Sequence, residues 1–94
     1  MLEAKHFDAV LVDERGEVLV RKTPGVCGGA ACVRNTRIMV WLLVALRNDG
    51  VADADLLKNY PSLEPHDLTA AWEYYRQYSQ EIEQAIAKNE NNSI

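Results

Sequence analysis

Apolar positions along the chain fall into four stretches separated by glycine, proline and charged residues. The first, FDAVLV-DERG-EVLVRK, has Val and Leu on both sides of a polar turn. It predicts an N-terminal β-hairpin in which Gly16 takes the left-handed conformation that a short loop needs. We expect Pro24 to end the second strand, because proline cannot donate a hydrogen bond to a sheet.

The most apolar stretch predicts a helix over residues 39–48. Its apolar positions recur at helical spacing and comprise Ile38, Trp41, Leu42, Ala45 and Leu46. Further apolar residues between them widen this face, which implies burial on most sides or contact with another chain. Gly50 lies where a helix C-terminal glycine is expected.

Two more helices complete the pattern. Asp53 is a candidate cap for a short helix over residues 54–59, which Pro61 stops. Glu64-Pro65 then opens a long helix, since proline is favoured at the first helical position. Its predicted buried stripe is Leu68, Ala71, Trp72, Tyr75, Ser79, Ile82 and Ile86. We therefore predict an α+β fold with a β-hairpin arm (1–22), a tri-helical helix-turn-helix-like domain (23–88) and a disordered tail (89–94).

Charge is distributed unevenly along the chain. Residues 1–48 hold seven Lys/Arg against five Asp/Glu, a sum of +2, whereas residues 49–94 hold three against nine, a sum of −6. An acidic C-terminal half disfavours broad nucleic-acid binding, which needs clustered positive charge, and favours docking onto a basic protein. The start lacks a signal-peptide core and the longest apolar run is too short to span a bilayer, so a cytoplasmic protein without membrane contact is expected.

The cysteines and glycines match no template for catalysis or cofactor binding. Cys27 and Cys32 are separated by four residues, with no second pair to complete a zinc site, and we expect free thiols. Gly28-Gly29 is not followed by the Lys-Ser/Thr of a phosphate-binding loop. No nucleophile–base pair or paired carboxylates emerge, so the sequence predicts no enzyme, cofactor, metal or small-molecule substrate.

Arg34 and Arg37 are the strongest functional candidates on chemical grounds. They flank an Asn35-Thr36 turn, where Asn35 tolerates the left-handed conformation, and Val33 and Ile38 are expected to pin the turn to the core. Two guanidinium groups three residues apart suit phosphates or carboxylates. Alternatively, they form salt bridges or hydrogen-bond loop carbonyls within the protein.

Two further surfaces are candidates for binding. In a helix-turn-helix the later helix enters the major groove, and Thr69, Arg76 and Gln77 of the long helix suit a DNA surface, although Asp67 and Glu73 do not. Tyr74 and Tyr78 fall off the predicted buried stripe, and exposed tyrosines commonly anchor protein interfaces. With Trp41 of the apolar helix, they are candidates for a dimer or partner surface.

The segment from Pro24 to about Ile86 resembles the domain-of-unknown-function-433 family of small prokaryotic proteins. Its hallmark is a loop of the form P-x-V-x-G-G-K-P-x-I-R-G-T-R-I-P-V, then an apolar helix, a glycine, a short helix, Tyr-Pro and a long helix. This chain has PGVCGGAACVRNTRIMVWLLVALRNDG and ADLLKNYPSLEPHDLTAAWEYY. By position, the signature residues here are Gly28, Gly29, Arg34, Thr36 and Arg37.

The resemblance implies a helix-turn-helix-like antitoxin of a type II toxin–antitoxin pair. Such a protein would bind and block a PIN-like ribonuclease toxin and, together with it, repress its own operon through DNA binding. We further expect a homodimer, in which dimerisation helps the DNA binding. The chain departs from the family pattern where Ala30-Ala31 replaces Lys-Pro, which removes a cation from the loop, where Asn35 replaces glycine, and where Met39 replaces proline. A stand-alone helix-turn-helix regulator and an interaction module that does not bind DNA are the alternatives.

Overall fold

The computed structural model describes residues 8–91, which form an antiparallel three-stranded sheet followed by four helices. The elements are β1 (Asp8–Val12), β2 (Val18–Lys22), a 3-10 turn (Cys27–Gly29), β3 (Cys32–Val33), α1 (Val40–Asn48), α2 (Asp53–Asn59), α3 (Pro65–Gln77) and α4 (Ser79–Asn91). The predicted α+β class is confirmed.

The hairpin forms as predicted, around a turn that Asp13 organises. The Asp13 carboxylate accepts hydrogen bonds from the backbone N–H groups of Arg15 and Glu17, both at 2.9 Å. Gly16 has a φ of +85°, the left-handed conformation expected of it. The register between β1 and β2 is irregular on both sides of Leu11, which bends the hairpin locally. Phe7, the first residue of the predicted first strand, lies outside the described residues.

A short third strand, β3, was not predicted from the sequence. It pairs with β2 so that Val33 lies opposite Val20, and both side chains are fully buried. The backbone of Met39 also bridges to Cys32, and Val33 N–H donates to the Ile38 carbonyl at 3.1 Å. The loop between Pro24 and α1 is therefore part of the sheet layer rather than a free hinge, and it sets the direction in which α1 begins.

The core lies between the sheet and the helices. Helix α1 packs against both α3 and α4, and α3 also contacts β2 and β3. Leu43 and Val44 of α1, Leu56 of α2 and Ala71 of α3 are all buried. The start of α2 differs slightly from the prediction, since Asp53 is its first residue and Ala52 precedes it without a side-chain cap. Gly50 follows α1 with a φ of +95°, as expected for a C-terminal glycine.

The predicted long helix is two helices, which corrects the tri-helical expectation. The chain leaves helical geometry at Tyr78, with φ −127° and ψ 46°, and α4 begins at Ser79. The break allows Glu81 to face back toward α3 and the sheet, where it accepts from the Tyr74 hydroxyl at 2.8 Å and pairs with Lys22 at 3.1 Å. Helix α4 continues to Asn91, so residues 89–91 of the predicted tail are helical and the rest of that tail lies outside the described residues. No helix between residues 8 and 91 is long and apolar enough to cross a bilayer.

Candidate functional site

The Arg34–Arg37 segment is a tight turn that its own threonine closes. The Thr36 hydroxyl donates to the Val33 carbonyl at 2.7 Å and accepts from the Ile38 N–H at 3.1 Å. Val33 is fully buried and Ile38 packs against the core, so the predicted pinning of the turn is confirmed. The left-handed residue is Arg34, with a φ of +45°, rather than Asn35 as predicted. Thr36 therefore has a structural role in the turn.

Arg34 forms a bidentate salt bridge with Asp67 in the first turn of α3. Its Nε lies 2.7 Å from Asp67 Oδ1, and its Nη2 lies 2.8 Å from Oδ2 and 2.7 Å from the Ser62 carbonyl oxygen. Asp67 Oδ2 also accepts from the Glu64 N–H at 2.8 Å, at the start of the helix. The turn, the 61–64 loop and the N-terminus of α3 are thus joined at one carboxylate. Planar guanidinium suits this geometry, and lysine would not reproduce it.

Both Arg34 and Asp67 are held in their charged forms. Burial acts to raise the pKa of Asp67, but hydrogen bonds from Arg34 and from the Glu64 backbone outweigh it, and the pKa lies below its ordinary value. The hydrogen bond to Asp67 raises the pKa of Arg34. Asp67 is completely buried, so its charge depends on these partners. Most hydrogen-bond donors of the Arg34 guanidinium are therefore used within the protein, which leaves this side chain poorly suited to bind DNA.

Arg37, by contrast, extends from the turn into solvent. Within residues 8–91 its guanidinium makes neither an ion pair nor a side-chain hydrogen bond, while its backbone carbonyl lies 3.5 Å from Cys27 Sγ. The two arginines are close in sequence but differ in environment. Arg34 stabilises the fold through Asp67, whereas Arg37 is exposed and accessible to a ligand.

The outer face of α3, where the DNA-reading residues were expected, forms one wall of a groove. The hairpin forms the other wall, and the cavity between them has a volume of about 610 Å³. Its lining contains apolar residues and polar residues of both charges: Leu11, Val12, Leu19 and Ala70, with Asp13, Arg15, Glu17, His66, Thr69, Glu73 and Gln77. We call this the hairpin–α3 groove.

Glu73 lies at the centre of the α3 wall and engages two of the expected DNA-binding residues. Its carboxylate accepts from Arg76 Nε at 3.0 Å and from Gln77 Nε2 at 2.7 Å. The hydrogen bonds from Arg76 and then Gln77 lower the pKa of Glu73 to about 2, so it is ionised at neutral pH. The Thr69 hydroxyl approaches the Pro65 carbonyl at 3.5 Å. The charge of Arg76 is therefore balanced by Glu73, so this pair offers no net positive charge to attract phosphate.

The candidate interface aromatics occupy different environments. Tyr74 is only 1% exposed, so the prediction that it faces outward is wrong: α3 buries the 67, 70, 71 and 74 face between α1 and the sheet. Burial and the bond to Glu81 raise the pKa of the Tyr74 hydroxyl. Tyr78 is 42% exposed, with its ring centroid 4.6 Å from that of Tyr74. Trp41 is half-buried against the core, so Tyr78 offers the larger accessible aromatic surface.

Both cysteines are free thiols, as predicted. Cys32 is buried, and its Sγ lies 3.6 Å from the Ala30 carbonyl oxygen. Burial, and then the neighbouring Cys27, raise the pKa of the Cys32 thiol to about 12. Among the described residues no cluster of three or more His, Cys, Asp or Glu side chains is arranged to hold a metal. Gly28 and Gly29, with φ of +66° and +83°, allow the loop to turn between the thiols.

Comparison with known proteins places these features in a family. The family model described as "Protein of unknown function (DUF433)" matches residues 20–75, from β2 to within α3. The chain belongs to the DUF433 family. The crystal structure of a DUF433 member from Anabaena variabilis is similar, with 55% identity, a TM-score of 0.72, and coverage of 73% of this chain and 68% of that one. No curated protein matches the chain.

The DUF433 match includes both halves of the Arg34–Asp67 pair. Of the signature residues, Arg34 and Thr36 stabilise the loop, and Gly28 and Gly29 shape it. Sequence reasoning identified Arg34 but not its partner, although an aspartate three residues into a helix opened by Glu-Pro is a recognisable capping position. The sequence indicates Glu73 as unfavourable for DNA, and the structure adds that its partners, Arg76 and Gln77, lie on its own helix.

Proposed function

We propose that this protein is the antitoxin of a type II toxin–antitoxin pair, acting chiefly by binding its toxin. The partner expected from the family resemblance is a PIN-like ribonuclease, bound in the cytoplasm. The observation that carries the proposal is the hairpin–α3 groove, whose lining combines apolar side chains with more acidic than basic groups. Such a surface suits a protein better than a nucleic acid, whose phosphates require positive charge.

The charge distribution also favours a protein partner over a nucleic acid. Residues 49–94, which include α3 and α4, sum to −6, and the charge of Arg34 is already paired with Asp67 of α3. An acidic antitoxin would be attracted to a basic toxin surface, which raises the association rate and disfavours acidic competitors. The role proposed is stoichiometric inhibition, without catalysis by this chain.

Coexpression with the protein encoded by the neighbouring gene tests this function. We expect the two to copurify as a complex and the full-length chain to relieve the growth arrest that the neighbour causes alone. Purified antitoxin should likewise suppress the ribonuclease activity of the toxin at equimolar ratio. A neighbour that is not PIN-like, together with absence of a complex, would contradict the antitoxin proposal.

DNA binding for autoregulation is the second part of the proposal, and Arg37 favours it. Its exposed guanidinium is the one candidate DNA contact of the turn that is not engaged by another side chain among residues 8–91. A homodimer would present two such groups, and dimerisation multiplies weak half-site contacts. Light scattering tests the dimer, and a strict monomer would remove this argument.

A stand-alone regulator makes a different prediction about the same residue. It would bind its own upstream DNA in a salt-dependent manner without any partner protein, and Arg37→Ala would weaken that binding. Under the antitoxin proposal, operator binding strengthens when toxin is added. Measuring affinity with and without toxin, at two salt concentrations, separates these functions.

A further inference from the structure

We propose that the hairpin–α3 groove binds a short apolar–cationic segment of the partner protein. This rests on the proposal that the chain binds a partner, and it identifies the surface and the chemistry of the segment. The volume of about 610 Å³ lies within the range of pockets that enclose ligand groups, and it is enough for several side chains.

The floor of the groove determines the apolar part of the occupant. Leu11, Leu19 and Ala70 line it, and Val12 is 49% exposed at its edge. Val12 and Tyr78 are the two exposed large apolar side chains among the described residues, and only Val12 borders this groove. Inserted aliphatic side chains would cover Val12 and displace water from the floor, which is the largest favourable contribution available here.

The charged side chains of the lining, which we call the rim of the groove, favour an occupant with positive charge. Asp13, Glu17 and Glu73 carry three negative charges along the lining, against Arg15 alone. Arg76, which pairs with Glu73 from outside the lining, leaves the rim still negative by one charge. The pair between Arg15 and Glu17 is exposed, with 4.0 Å between its charged atoms, so it competes weakly with an incoming cation. Lysine or arginine beside the apolar side chains is therefore favoured, and acidic segments and DNA are disfavoured.

The probe is a pair of acetylated, amidated hexapeptides, Lys-Val-Leu-Lys-Val-Lys and its glutamate counterpart Glu-Val-Leu-Glu-Val-Glu, titrated into ¹⁵N-labelled full-length protein. We expect the cationic peptide to shift the amide resonances of Leu11, Val12 and Ala70 with millimolar or tighter affinity. The acidic peptide and a short DNA duplex should leave them unchanged. The proposal is overturned if the cationic peptide shifts no groove resonance, or if the acidic peptide or DNA shifts them equally.

Two pairs of matched variants test whether residues of the groove lining contribute to peptide binding. Val12→Ser should weaken cationic peptide binding about fivefold, because it removes apolar contact, while Ala9→Ser on the same strand but outside the lining should not. Glu17→Lys should weaken it about as much, and Glu14→Lys, the same charge change in the same turn outside the lining, should have a smaller effect. Equal effects in either pair would contradict a groove site.

The same variants distinguish this inference from the antitoxin function. If the toxin complex forms with wild-type affinity in Val12→Ser and Glu17→Lys, the groove is not the binding site and the antitoxin function stands. If the neighbouring protein does not bind but the cationic peptide binds the groove, the antitoxin function fails and the groove site stands.

Discussion

The guanidinium of Arg34 holds both carboxylate oxygens of Asp67, a residue 33 positions later in the chain, at 2.7 and 2.8 Å. This contact connects the signature turn to the first turn of α3. Asp67 is fully buried, whereas the Arg34 side chain remains 29% exposed. The two partners therefore differ in what their loss would leave behind.

Removing Arg34 should destabilise the protein more than removing Asp67. Arg34→Ala leaves a buried carboxylate without its cation, and we expect a loss of about 3 kcal/mol in the free energy of unfolding. Asp67→Ala leaves a guanidinium that can turn toward water, and a smaller loss is expected. Chemical denaturation of both variants and of the double variant measures the coupling. Arg34→Lys should recover only part of the loss, since it lacks the bidentate fork.

The acid stability of the protein should depend on the same pair. The pKa of Asp67 is lowered in the folded state, so its stabilising contribution is complete above its unfolded value of about 4 and is lost as the pH falls through the folded value. Thermal unfolding between pH 2 and 7 should show this loss in the wild type. Asp67→Asn should flatten the curve below pH 4.

Glu73→Gln is the control for the acid series. The pKa of Glu73 is also lowered, but the side chain lies at the surface and its pairing with Arg76 is screened by solvent. We expect its acid profile to follow the wild type closely. An Asp67→Asn profile that retains the wild-type slope would show that other carboxylates control acid unfolding.

Local chemistry accounts for the parts of this fold that the sequence predicts. Gly16 marks the hairpin turn, Gly50 ends α1 and Pro65 opens α3, because each has backbone preferences that few other residues share. The break at Tyr78 has no glycine or proline to mark it. It places Glu81 against Tyr74 and against Lys22 of β2, and the contact with Lys22 joins residues 59 positions apart, which no local window of sequence contains.

The candidate site likewise combines features that the local sequence predicts with features that depend on tertiary packing. The Arg34–Arg37 turn agrees with the expectation from its residue types. The sequence leaves open whether each arginine is exposed or paired within the protein, because the Asp67 partner of Arg34 depends on tertiary packing. The polar residues of α3 predict a binding surface on that helix. That the hairpin stands opposite it, and turns it into a groove, depends on how the sheet and α3 pack.

The hydroxyl of Thr36 should contribute measurably to stability. Thr36→Val preserves shape but removes its bonds to the Val33 carbonyl and the Ile38 N–H, and we expect a loss of about 1–2 kcal/mol. Thr69→Val is a matched control, because Thr69 is exposed and its single bond, to Pro65, is long at 3.5 Å. Its effect should be below about 0.5 kcal/mol by urea denaturation. Equal losses would mean that the turn does not depend on this hydroxyl.

The two neighbouring tyrosines allow a second matched comparison. Tyr74→Phe removes a part-buried hydrogen bond to Glu81, which also pairs with Lys22 of β2, and we expect a loss of about 1 kcal/mol. Tyr75→Phe removes an exposed bond to Glu83, and its effect should be near zero. The reverse order in denaturant midpoints would contradict the assignment of Tyr74 to the α3–α4 junction.

Thiol labelling should separate Cys27 from Cys32. Because burial raises the pKa of Cys32 to about 12, almost none of it is thiolate at pH 8, and its side chain is shielded as well. We expect iodoacetamide to modify Cys27, which is half-buried, well before Cys32, as followed by peptide mass spectrometry. In Cys27→Ser protein, Cys32 should react only after denaturant is added. Rapid native labelling of Cys32 would show that the loop over it opens readily, since reaction at a buried thiol requires that opening.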